Sequence, residues 1–197
     1  MRDAAAITLA RIRRLSLEQY EQLIDALIDE PSGGLIPVLL SVAMFKTIKK
    51  CFDLDWNIDW QGINVADRAT GVGGDITVKR GEELLLAVEI TERPIDRTQL
   101  VSTFNTKISP HAIDDYIFFF TSTIPDDEAR AAARQYFAQG HDISFLPIKD
   151  WLINSFGTIG AKCRSIFTNE FLDLLGDRDV PAALKVAWND KVQSLLK

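Results

Sequence analysis

The stretch DITVKRGEELLLAVEIT, residues 75–91, constrains the fold more than any other part of the chain. Two runs rich in β-branched and aliphatic residues flank Arg80-Gly81-Glu82-Glu83. A glycine in so short a connection marks a hairpin turn, because it accepts backbone angles that other residues avoid. The pattern predicts one strand over DITVK and a second over LLLAVEIT, joined by RGEE. A two-stranded hairpin is not stable alone, so the rest of the chain must supply the strands and helices that cover it.

Other segments meet that need. Ser16, with Glu18 and Gln19 close behind it, resembles a capping box, and Leu17, Tyr20, Leu23, Ile24 and Leu27 recur at helical spacing. They predict an amphipathic helix over 16–30, stopped by Pro31. A second helix is expected over 35–52, with Pro37 in its first turn, where the missing N–H is no loss. A strand near 58–65 precedes the hairpin, and 97–109 reads as a helix. DDYIFFFTST is a strand buried on both faces, DDEARAAARQYFAQG a helix with acids at its start and glycine at its end, and DISFLPI a further strand. From Asp150 the pattern is helical, with breaks near 157–160 and 176–181. Three meandering strands followed by helix, strand, helix and strand make a mixed sheet in an α/β domain flanked by helices. The expected division is an N-terminal helical segment 1–32, an α/β core 33–150 and a C-terminal helical segment 151–197.

The hairpin also carries chemistry. Strand parity sets Asp75, Thr77 and Lys79 on one face of the first strand and Glu89, Thr91 and Arg93 on one face of the second. Adjacent strands lie about 4.8 Å apart, so carboxylates at neighbouring ends can grip one divalent ion. Mg2+ takes one or two carboxylates and leaves its other positions to water and phosphate oxygens. The glycines before Asp75 allow close approach of a backbone or a phosphate. Asp75 has an alternative as a turn residue entering a strand. Glu89 follows the apolar LLLAV, and a carboxylate in such a strand requires a partner or a metal.

These residues resemble a known family. Asp75, a hairpin, and Glu89-Ile90-Thr91 fall in the pattern of the PD-(D/E)xK nuclease core: an acid, a hairpin and Glu-x-Lys. More narrowly, NVADRATGVGGDITV, AVEITERPIDRTQLVSTFNTKI and DYIFFFT resemble the SacI-type restriction endonuclease family, over residues 33–121. The resemblance implies a Mg2+-dependent deoxyribonuclease of restriction-endonuclease-like fold, acting on double-stranded DNA. Asp75 and Glu89 would be its metal-binding acids, and the backbone carbonyl of Ile90 would complete the metal shell. The lysine of the pattern falls on Thr91, a departure that bears directly on catalysis. Lys107 or Arg93 could restore the cation. Lys107 is the better choice, because a lysine can shed its proton when desolvated and an arginine cannot. Asn64, Asp67, Arg68, Gln99 and Lys46 are the expected DNA contacts, although an Asx-turn at Asp67 and solvated helix faces at Gln99 and Lys46 are the plainer alternatives. A palindromic target would match a homodimer. The departure at Thr91 keeps a second expectation open: a nuclease-like fold without activity, serving as a DNA-binding or protein-interaction module.

Composition sets the limits. The chain has 197 residues, 47% hydrophobic and 25% charged, enough to bury a core. Its net charge of -6 weighs against a general nucleic-acid coat. Two cysteines and two histidines barely supply a zinc ligand set, and Cys51 and Cys163 are expected as reduced, buried thiols of a cytoplasmic protein. No apolar run is long enough for a membrane span. TGVGGD lacks the lysine-serine ending of a phosphate loop and leads into a strand. Neither His111 nor His141 has a recognisable nucleophile partner.

Overall fold

The hairpin forms as expected and lies within a larger sheet. A computed structural model describes residues 7–60 and 74–195. Strands β2 (Ile76–Arg80) and β3 (Glu83–Thr91) pair antiparallel around Gly81, whose φ of 56° is the left-handed conformation that favours glycine. Strand β1 (Asn57–Trp60) adds antiparallel to β2, while β4 (Asp115–Phe120) and β5 (Asp142–Pro147) continue parallel from β3. The five strands lie in sequence order, β1-β2-β3-β4-β5. The rest of the expected first strand, from Gln61 on, lies outside the described residues.

Helices cover both faces. Residues alternate along β2 and β3, so Ile76, Val78 and Val88 project to one side and Ala87 to the other. The first side packs under four helices: α1 (Leu17–Ile28), α2 (Leu35–Phe52), α5 (Ile148–Leu175) and α6 (Ala182–Leu195). Helix α2 is buried on nearly every side, through Ile36, Leu39, Leu40, Val42, Ala43 and Met44, which explains its almost uninterrupted apolar sequence. The second side packs under α3 (Arg97–Thr103) and α4 (Asp127–Phe137), through Leu100, Phe104, Ile108, Ala129 and Ala132. Strand β4 serves both cores, with Phe119 on the four-helix side and Tyr116, Phe118 and Phe120 on the other.

Helix ends follow local chemistry. Ser16 Oγ accepts from Gln19 N at 3.1 Å and Gln19 Oε1 accepts from Ser16 N at 2.9 Å, a complete capping box. Asp96 and Asp126 cap α3 and α4 by accepting from Gln99 N and Ala129 N. The expected break near 157–160 is a kink at Gly160, with φ 70° and ψ 174° inside α5. The helix expected over 97–109 is α-helical only to Thr103, then widens into a π-helical turn (Phe104–Ile108) and tightens into a 3-10 turn (Ser109–His111).

One expectation is overturned. Cys51 on α2 and Cys163 on α5 are joined in a disulfide, with Cα atoms 5.8 Å apart, and are not separate thiols. Folding brings together positions 112 residues apart, and no spacing motif marks such a pair. Among the described residues, no helix is long and apolar enough to cross a membrane.

Candidate functional site

Two acids meet on the α3/α4 side of the sheet. Ile76 pairs with Val88, so Asp75, one residue before β2, enters beside Val88 and Glu89 of β3. Asp75 N donates to Val88 O at 2.8 Å, one residue off that ladder, which ties the strand entry to β3. Gly74 makes that approach possible. A Cβ at position 74 would stand 2.5 Å from the Val88 carbonyl oxygen, well inside contact distance, so only glycine lets the chain enter β2 this close to β3.

The Asp75 carboxylate is oriented by backbone. Its Oδ2 accepts from Ile90 N at 2.7 Å. Burial raises the Asp75 pKa above its ordinary value, the Ile90 hydrogen bond pulls it back, Glu89 raises it further and Lys107 lowers it. The net direction is upward: a half-buried acid held beside another acid is costly to ionise without a cation.

Glu89 is held through a single oxygen. Its Oε2 accepts from Lys107 Nζ at 2.8 Å and from the Tyr116 hydroxyl at 2.7 Å. No described residue donates to its Oε1. The Glu89 side chain is 16% exposed and that of Lys107 38%, so the pair lies at the edge of the core. Lys107 comes from the π-helical turn after α3, a distortion frequent at functional sites.

The other expected residues divide. Thr91 ends β3, and its hydroxyl accepts from Arg93 N at 3.0 Å, closing the turn out of the strand. Arg93 therefore lies beyond the strand, exposed, not one step further along the Thr91 face. Ile90 turns its side chain to the four-helix core while its N–H serves Asp75. Gln99 is half-buried in the first turn of α3, on the same side of the sheet as Lys107. Lys46 belongs to α2, which covers the opposite face, so the structure does not bring it to the two acids. Asn64, Asp67 and Arg68 lie outside the described residues. Among the described residues, no group of three or more histidines, cysteines or acids could hold a metal ion; the cluster is a two-carboxylate one.

Tyr116 was missed in the sequence. It stood within DYIFFF as one more buried aromatic, yet a tyrosine among phenylalanines in a buried strand needs a partner for its hydroxyl. That need was the available signal, and the partner depends on the parallel register of β3 and β4.

Residues 14–121 match the family model described as SacI restriction endonuclease C-terminal domain, a span of more than half the chain. A search of curated proteins returns no match.

Proposed function

The chain belongs to the SacI restriction endonuclease C-terminal domain family, and from that premise we propose that it is a Mg2+-dependent endonuclease hydrolysing phosphodiester bonds of double-stranded DNA through a PD-(D/E)xK-type site. The observation that carries this reading is the placing of two acids on adjacent chain segments of the sheet: Asp75 at the entry to β2, accepting from Ile90 N at 2.7 Å, and Glu89 on β3, 2.8 Å from Lys107.

The donor set suits a hard divalent cation. Each carboxylate has one oxygen engaged, Oδ2 of Asp75 and Oε2 of Glu89. The other oxygen of each receives no hydrogen bond from a described residue. Two carboxylates are what Mg2+ takes from a protein when water and phosphate fill its remaining positions, and the upward push on Asp75 is the field such an ion relieves. The Ile90 carbonyl is the proposed third ligand. Once bound, the ion would offset charge on the scissile phosphate and promote deprotonation of a nearby water. Asp75 and Glu89 orient that charge, and Lys107 supplies the cation that Thr91 lacks, placed to hold the attacking water. Gln99 and the segment carrying Asn64, Asp67 and Arg68 are proposed for the DNA side. A homodimer would cut both strands of a two-fold symmetric target.

Incubation with supercoiled and linear DNA, with and without Mg2+ or Mn2+, tests the reading. Metal-dependent cutting is expected from the wild type and is expected to be lost in Asp75→Ala and Glu89→Ala. Lys107→Ala should lose most activity and Arg93→Ala little; equal activity in both would remove Lys107 from its role. A second reading rests on Thr91, whose hydroxyl is committed to the Arg93 backbone: a nuclease-like fold that binds DNA or protein without cutting. Metal-independent DNA binding, unchanged by the two alanine variants and without cleavage, would favour it.

A further inference from the structure

Both donors to Glu89 converge on the same oxygen, and they differ in kind. Lys107 is a long, partly exposed chain. Tyr116 is fully buried, and its ring is fixed by Phe118 at a centroid distance of 5.2 Å. Tyr116 stands opposite Ala87 in the parallel ladder and Phe118 opposite Glu89. The small Ala87 side chain leaves room for the phenol to lean diagonally along the sheet to Glu89, two residues on. A phenol keeps its proton at neutral pH, so the hydroxyl donates to Glu89 Oε2 at 2.7 Å.

We propose that Tyr116 is a positioning residue: it holds Glu89 Oε2 permanently, leaving Oε1 as the oxygen offered to a divalent cation and freeing Lys107 to leave the carboxylate and serve the attacking water. The inference rests on the metal-site reading above. Without Tyr116, Lys107 would be the sole donor to Oε2, and its movement toward water would strand a half-buried carboxylate oxygen, a costly state. With Tyr116 in place the carboxylate keeps its orientation whichever way Lys107 points. Groups that orient metal ligands in this way commonly contribute about ten- to a hundredfold to metal affinity.

The test uses the full chain, with Mn2+ as the probe, titrated calorimetrically and followed by electron paramagnetic resonance. Tyr116→Phe removes one oxygen and keeps the ring. Phe120→Leu loosens the same sheet face at the position opposite Thr91. The expected result is an Mn2+ affinity about tenfold weaker in Tyr116→Phe, an altered zero-field splitting of the bound ion, and wild-type values for both in Phe120→Leu. Wild-type affinity and spectrum in Tyr116→Phe would overturn the inference while leaving the metal site standing. Equal weakening in both variants would also overturn it, because the loss would then follow packing and not the hydroxyl. A wild-type protein that binds no Mn2+ would overturn the metal-site reading, and this inference with it.

Discussion

Two half-hidden glutamates, each paired with a lysine, separate the two faces of this molecule. Glu170 on α5 pairs with Lys50 of α2 on the four-helix side, and Glu89 on β3 pairs with Lys107 on the other. Glu170 has the more buried side chain, 9% exposed against 16% for Glu89, so burial alone does not single out Glu89. What distinguishes Glu89 is its company: a second acid at the entry to the neighbouring strand, a tyrosine and a lysine on one oxygen, and a glycine that lets the strands close. Glu170 is matched by one lysine, whereas Glu89 shares its lysine with a second acid.

The comparison breaks most directly on isosteric substitution. Glu89→Gln is expected to reduce Mg2+-dependent cleavage by at least about a hundredfold, since the charge stabilisation at stake is several kcal/mol. Glu170→Gln should leave cleavage within about twofold and lower stability by about 1 kcal/mol, because the Lys50 left behind is largely solvated. A gel-based cleavage assay and urea denaturation read both. If the two variants lost activity equally, the distinction between the faces would fail.

The disulfide sharpens the same contrast. It joins α2 to α5 across 112 residues, so replacing both cysteines by serine should reduce stability by about 2–4 kcal/mol through the freed unfolded chain. Mn2+ affinity should be unchanged, since both cysteines lie on the four-helix side. Gly74→Ala is expected to act on the other face. Its Cβ would meet the Val88 carbonyl, forcing the strand entry apart at a cost of about 1–3 kcal/mol and weakening Mn2+ binding along with it.

The smallest expected effect has an unusual sign. Burial raises the pKa of Asp75 in the folded protein above its ordinary 3.8, so the folded state binds a proton more readily than the unfolded one. Stability therefore falls as pH rises from about that ordinary value through the raised one. In metal-free protein, Asp75→Asn, which can still accept from Ile90 N, should be the more stable form at neutral pH. Its advantage should vanish at low pH, where Asp75 is protonated. Thermal unfolding across pH checks this, and added Mn2+ should stabilise the wild type alone.

The hairpin, the mixed sheet and the helices that flank it were legible in the sequence, as were Asp75 and Glu89 as candidate acids, because each is local: a glycine turn, a strand parity, a helical period. Lys107 was expected near the acids and lies 2.8 Å from Glu89, but the π-helical turn that carries it was not legible, since no single residue marks such a distortion. Tyr116 depended on a register between parallel strands separated by a whole helix. The disulfide depended on how two helices pack. The position of Lys46 on the opposite face followed from which side α2 covers, and helical period alone leaves that choice open.

Soaking a crystal of the protein in Mn2+ and measuring anomalous scattering tests the central claim most directly. A peak is expected between Asp75 and Glu89, within about 2.0–2.3 Å of the carboxylate oxygens that accept no hydrogen bond from a described residue. A map with no density there, or with the ion bound elsewhere while the two carboxylates keep their metal-free positions, would contradict it.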